Sequence, residues 1–291
     1  MFIFWGFNMR LDDERESSNV EDRRGGGGLP IGGKGIGVGT IVLALVAMYF
    51  GVDPSVVLNI GQGLNQQAPV EAQAIPKDDP MAIFVAKVLG STEDTWNKIF
   101  ADAGQQYPAP KLVLYSGQTP TACGAGQAAM GPFYCPGDSK VYIDLQFYQE
   151  MKTRFNAPGD FAQAYVIAHE VGHHIQHLMG TSDKVQQARQ SARSEAEANQ
   201  YSVRLELQAD CYAGVWAHHA DGKNRILEAG DVEEAMTAAA AIGDDALQKK
   251  AQGYAVPDSF THGTSQQRMH WFNQGLTVGD VNKCDTFNTA I

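Results

Sequence analysis

The chain has 291 residues, 44% of them hydrophobic and 19% charged, a globular composition that excludes a disordered or fibrous protein. Its 33 acidic residues against 22 basic ones give a net charge of −11, and no long basic cluster interrupts that excess, so nucleic acid is not an expected partner. Four cysteines, none of them in a C-x-x-C pair, exclude a disulfide-dense mini-protein and a zinc ribbon.

Residues 1–34 open on the aromatic run FIFWGFN and continue rich in Arg, Asp, Glu, Ser and Gly. This composition reads as a disordered cytoplasmic tail, with Met9 as an alternative start. Residues 35–52 carry no charge, and 18 residues at 1.5 Å each give about 27 Å of helix, enough to cross a hydrocarbon core. Arg23, Arg24 and Lys34 lie before this run, while Asp53, Glu71, Asp78 and Asp79 follow it. Positive charge on the N-terminal side predicts a single-pass signal anchor with the bulk of the chain outside the cytoplasm. A buried core helix or a cleaved signal peptide are the other readings of the same run. Residues 53–80, rich in Gln, Asn, Ala and Pro, read as a linker, and 81–291 as the folded domain.

Within that domain, residues 81–104 show helical spacing, as two short helices or one kinked near Gly90. Lys111–Gly117 and Lys140–Leu145 read as short strands. A helix is expected from Pro158 and Asp160 to a stop at Gly180, and a second from Ser194 to about His218. Asp231–Ala241 reads as a third helix capped by Asp231, and a fourth should run from Thr264 and Ser265 through Phe272. Strands first and helices after predict an α+β domain dominated by helix. Cys123 and Cys135 flank a Gly-rich loop that a disulfide would staple, and Cys211 with Cys284 makes a second plausible bridge. An oxidising compartment permits both bonds, while four buried thiols would be the reduced alternative.

The chemistry concentrates in His169-Glu170-Val171-Gly172-His173. Histidines four apart share a helix face and can converge on one zinc ion, with Glu170 in reach of the attacking water as general base. A catalytic zinc needs a third protein ligand and an open position. His177 lies about 12 Å of helical rise beyond His169, too far for one ion. Gln176 and Met179 stand where the metzincin pattern requires Gly and His. His174 points about 100° away from His173, so both extra histidines read as surface or supporting groups. On the next long helix, Glu206 and Asp210 are four apart, so one can bind metal while the other orients a ligand histidine.

This pattern resembles the gluzincin arrangement, H-E-x-x-H followed by E-x-x-x-D, which implies Glu206 as third zinc ligand and Asp210 as the group holding His169. CGAGQAAMGPFYCPGDSKVYIDLQFY, AHEVGHHIQHLMG, ELQADCYAGVW and FTHGTSQQR extend the likeness to the bacterial family of predicted neutral zinc metallopeptidases. The resemblance covers roughly residues 80–290 and the anchor. It implies a zincin-like fold, one Zn2+, a protein or peptide substrate, and attachment to the bacterial inner membrane with a periplasmic catalytic domain. It also suggests His262 or Arg268 for stabilising the oxyanion. Val141–Leu145, directly preceding the active-site helix, is the expected substrate-pairing strand, although it could be internal. Two rivals remain: a non-catalytic zinc-stabilised envelope interaction domain, and a zinc hydrolase acting on a non-protein amide.

Overall fold

A computed structural model describes residues 9–24, 73–127, 131–155, 157 and 159–291. Met1–Asp22 and Ala74–Ile291 make one compact unit, and Arg23–Gln73 a second. The predicted anchor at 35–52 and most of the predicted linker lie outside the described residues. Among the described residues no helix is long and apolar enough to cross a membrane.

Four strands form the main sheet: β1 (Val20–Asp22), β2 (Lys111–Tyr115), β5 (Phe133–Cys135) and β6 (Lys140–Asp144), in the order β1-β2-β6-β5. The first three are mutually parallel and β5 is antiparallel to β6. A hairpin of β3 (Gln118–Thr121) and β4 (Gly124–Gln127) stands beside the sheet. Strands β2 and β6 read as unbroken apolar runs because both of their faces are covered. Leu112, Leu114, Val141 and Ile143 join the main core, and Val113, Tyr115 and Tyr142 join a smaller cluster with Cys135. The expectation that Val141–Leu145 forms the substrate edge is therefore corrected. Strand β6 is flanked on both sides by β2 and β5, and β1 and β5 are the edge strands.

The helices are α1 (Pro80–Asp102), α2 (Gln146–Thr153), α3 (Asp160–Leu178), α4 (Thr181–Gln190), α5 (Glu195–Asn224), α6 (Asp231–Ala241), α7 (Asp244–Gln252) and α8 (Ser265–Val278). Helix α3 is the centre of the fold. Its buried residues run all round its axis, as expected of an enclosed helix, here packed against α1, α5 and α6 and against strands β5 and β6. Ser194 caps α5 by accepting from the Glu197 N–H, and Thr264 with Gln267 forms a capping box on α8. Helix α6 begins after Gly230, and the Asp231 side chain instead accepts from Glu228 N–H.

The predicted disordered tail is corrected for its described part. Residues 9–22 cross α1 and end in β1, with Met9 and Leu11 buried in the core. Buried Glu93 of α1 clamps this arm, accepting from Ser17 Oγ at 2.6 Å, Asn19 Nδ2 at 2.7 Å and Arg15 Nη2 at 2.7 Å. Glu21 pairs with Lys111 and Lys140. Helix α1 is unbroken, and Gly90 has a different purpose from a kink. A Cβ there would lie 2.3 Å from the Arg15 carbonyl oxygen, so glycine is what lets the arm lie against the helix.

Both expected disulfides are formed. Cys123–Cys135 ties β5 to the hairpin, with Cα atoms 5.8 Å apart. Cys211–Cys284 ties α5 to the C-terminal segment, at 5.6 Å.

Candidate active site

Helices α3 and α5 meet where Gly172 faces Ala209. A Cβ on Gly172 would fall 3.0 Å from the Ala209 carbonyl oxygen and 3.1 Å from its Cα, so the glycine inside H-E-V-G-H sets the approach. That closeness brings Glu206 and Asp210, one turn apart on α5, against His169 and His173 on α3.

Glu206 bridges the two histidines. Its Oε2 lies 3.1 Å from His169 Nε2, and its Oε1 3.5 Å from His173 Nε2. Tetrahedral zinc with bonds of 2.0–2.1 Å separates its ligand atoms by about 3.3 Å, so these spacings suit one ion. Without a cation the three groups share protons. Burial opposes the charged form of His169, but Asp210 and Glu206 outweigh it and hold its pKa up to about 9. Burial would also raise Glu206, yet the two histidines keep it well below the ordinary carboxylate range.

Each histidine presents Nε2 because its Nδ1 is engaged. His169 Nδ1 donates to Asp210 Oδ1 at 2.8 Å. Asp210 also accepts from Tyr165 OH at 2.5 Å and from Arg268 Nε and Nη2, both at 2.8 Å. Burial favours its neutral form, but Arg268 and His169 hold its pKa down to about 2, so it stays anionic. His173 Nδ1 donates to Gln176 Oε1 at 2.9 Å. Gln176 Nε2 in turn donates to the Leu205 carbonyl and to Gln208, whose own amide reaches the Cys284 carbonyl.

The H-E-x-x-H face opens into a cavity of about 790 Å³, bordered by Phe133 and Tyr134 of β5, Glu170 and His262. Burial raises the Glu170 carboxyl above its ordinary range, an effect moderated by His173 and His169. Asp244 gathers the loop before α8, accepting from the N–H groups of Thr261, His262 and Gly263. Its Oδ1 lies 3.2 Å from His262 Nδ1, which pushes that histidine's pKa up and favours its cation at the cavity wall.

His169, Glu170, His173, Glu206 and Asp210 are thus assembled at one place, with His262 across the cavity. Arg268 is among the residues that line the cavity. It is buried behind His169, committed to Asp210, and acts by orienting that carboxylate. His174 is buried rather than on the surface: its Nε2 donates to the Pro108 carbonyl, its Nδ1 accepts from Tyr134 OH, and burial lowers its pKa to about 4. Tyr165, Gln176, Gln208 and Asp244 are the supporting residues that sequence reasoning missed. Only Tyr165 carried a signal, lying one turn before His169 on the same face.

Two histidines and a carboxylate around a cavity, with a second carboxylate at the first histidine, define a metalloprotein of the H-E-x-x-H class. The chain belongs to the family described as "Putative neutral zinc metallopeptidase", which matches residues 8–287. It is 52% identical over 291 residues to the protein YpfJ of Escherichia coli K12, covering 97% of this chain and all of that one. It is 38% identical over 262 residues to the protein Mb2605 of Mycobacterium bovis, covering 84% of this chain and 86% of the relative. No solved structure matches it.

Proposed function

We propose that this protein is a zinc metalloendopeptidase of zincin-like build, holding one Zn2+ on His169, His173 and Glu206. The carrying observation is Glu206 set within 3.1 and 3.5 Å of the two Nε2 atoms, with Glu170 beside them on the cavity. When bound, the ion supplies Lewis acidity toward the scissile carbonyl and the attacking water. The Glu170 carboxylate takes that water's proton and returns it to the leaving amine, and burial raises its basicity for that role. His262, fixed by Asp244, which raises its pKa, is the group on the cavity wall to meet the negative charge that develops on the carbonyl oxygen. Edge strand β5 borders the cavity and offers an extended peptide a backbone to pair with, which favours peptide over other amides.

The two disulfides support a site of action in an oxidising compartment, the bacterial periplasm or its equivalent. The apolar run at 35–52 would anchor the domain to the membrane. The decisive comparison is Glu170→Gln against wild type, measured for zinc content and cleavage of a peptide library. About one zinc per chain in both is expected, with kcat down by about 10²–10⁴ in the variant. Equal cleavage by the two would remove Glu170 from the mechanism, and cleavage by neither would favour a binding domain.

A further inference from the structure

A second carboxylate cluster lies at the far end of α3 from the zinc ligands. Asp160 opens α3, Asp231 opens α6, and Glu234 is one turn further; one oxygen from each lies within 4.8 Å of the others. Asp231 is fully buried, and its Oδ1, like Oε2 of Glu234, is buried without a hydrogen-bond partner. Among the described residues no Lys, Arg or His forms an ion pair with any of the three. Burial and the neighbouring carboxylates push Asp231 up to about 6 and Glu234 up to about 7, the mark of a pocket short of positive charge.

The arm delivers a nitrogen to this pocket. Met9 N donates to Asp160 Oδ2 at 2.8 Å. Its position is fixed from both sides, by the buried Met9 side chain and by the bond from Arg10 N–H to the Ile226 carbonyl. As an amide inside a longer chain, this nitrogen has one hydrogen, already given to Asp160, and no charge. As a chain terminus it has three hydrogens and a unit positive charge, which a pocket holding the unpartnered Asp231 Oδ1 and Glu234 Oε2 calls for. The family match independently opens at residue 8, just before the described arm.

We propose that the pocket of Asp160, Asp231 and Glu234 is the seat of the chain's own α-ammonium group, so that the working protein begins at Met9 with a free amine. The ion pair then joins the arm to the first residue of the helix that carries His169, Glu170 and His173. The state of the N-terminus becomes a determinant of how firmly the active-site helix is held.

The test starts with the untagged protein from its own cell, analysed by intact mass and N-terminal peptide sequencing. Met9 as first residue with an unblocked amine is expected; a first residue elsewhere, or a blocked amine, overturns the proposal. Next, the chain beginning at Met9 is compared with one carrying a single alanine ahead of it. The extended chain should melt lower, on the order of 5 °C at neutral pH, and Asp160→Asn should shrink that difference. In the folded Met9 chain the α-amine should resist an acylating reagent that labels it once unfolded. Equal melting of the two chains, or equal labelling folded and unfolded, overturns the proposal. So does a rise in melting temperature with calcium or magnesium that Glu234→Gln abolishes, since a divalent cation would then be the occupant.

Discussion

Asp210, fully buried, accepts from His169, Tyr165 and Arg268 at once. Asp210→Asn leaves Arg268 as a buried charge without its counter-ion, a change that costs about 3–5 kcal/mol. It also frees the His169 ring, and apparent zinc affinity should fall about 10–100-fold. Asp210→Asn with Arg268→Leu should be more stable than Asp210→Asn alone, because the stranded charge is gone; thermal melts and zinc titration check both statements. The pH response follows from His169. Its folded pKa, near 9, lies above the ordinary 6.5, so in metal-free protein this pairing contributes stability fully below pH 6.5 and loses it as pH rises through 9. Zinc must displace that proton, so apparent affinity should weaken by at least about tenfold per unit as pH falls below 9. A pH-independent affinity by chelator competition would contradict the assignment.

At the scale of elements, the arm of residues 9–22 and the edge strand β5 carry the features least expected from composition. Arg15, Ser17, Asn19 and Glu21 read as solvated polar residues, yet each has a fixed partner on α1 or the sheet. Gly90→Val should displace the arm, since its side chain would occupy the place of the Arg15 carbonyl. Melting temperature should drop, and protease cleavage within residues 9–22 should become faster while α1 keeps its helicity. An unchanged cleavage rate would show that the arm does not depend on this contact. The register of β5 was also hidden in the sequence. Lys140–Leu145 is the more apolar segment because it is internal, whereas Phe133–Cys135 is short and half-exposed, as an edge strand can be.

For the whole molecule, two covalent ties act on the site from different directions. Loops closed over 12 and 73 residues restrict the unfolded chain by about 3 and about 4 kcal/mol. The effects on function should differ. Cys211 adjoins Asp210, and the Cys284 carbonyl ends the relay through Gln208 and Gln176 to His173, so replacing this pair by serine should weaken zinc binding. Replacing Cys123 and Cys135 should leave zinc content intact and raise KM, because it loosens only the β5 edge. Equal effects of the two replacements on zinc content would refute this division.

The convergence of His169, Glu170 and His173 on one face, and the pairing of Glu206 with Asp210, were legible because each pair sits within one turn of one helix. Helical geometry converts such spacings directly into a shared face. The long helices and both disulfides were legible for similar reasons of local pattern and placement. The tertiary structure alone decided that Arg268 serves Asp210, that Gln176 and Gln208 hold His173, that β5 is an edge strand, and that the N-terminal arm belongs to the sheet. Each of these joins residues distant in the chain, and each depends on which polar group finds a buried partner. Composition and periodicity report how a segment meets water on average, and they carry no record of that pairing.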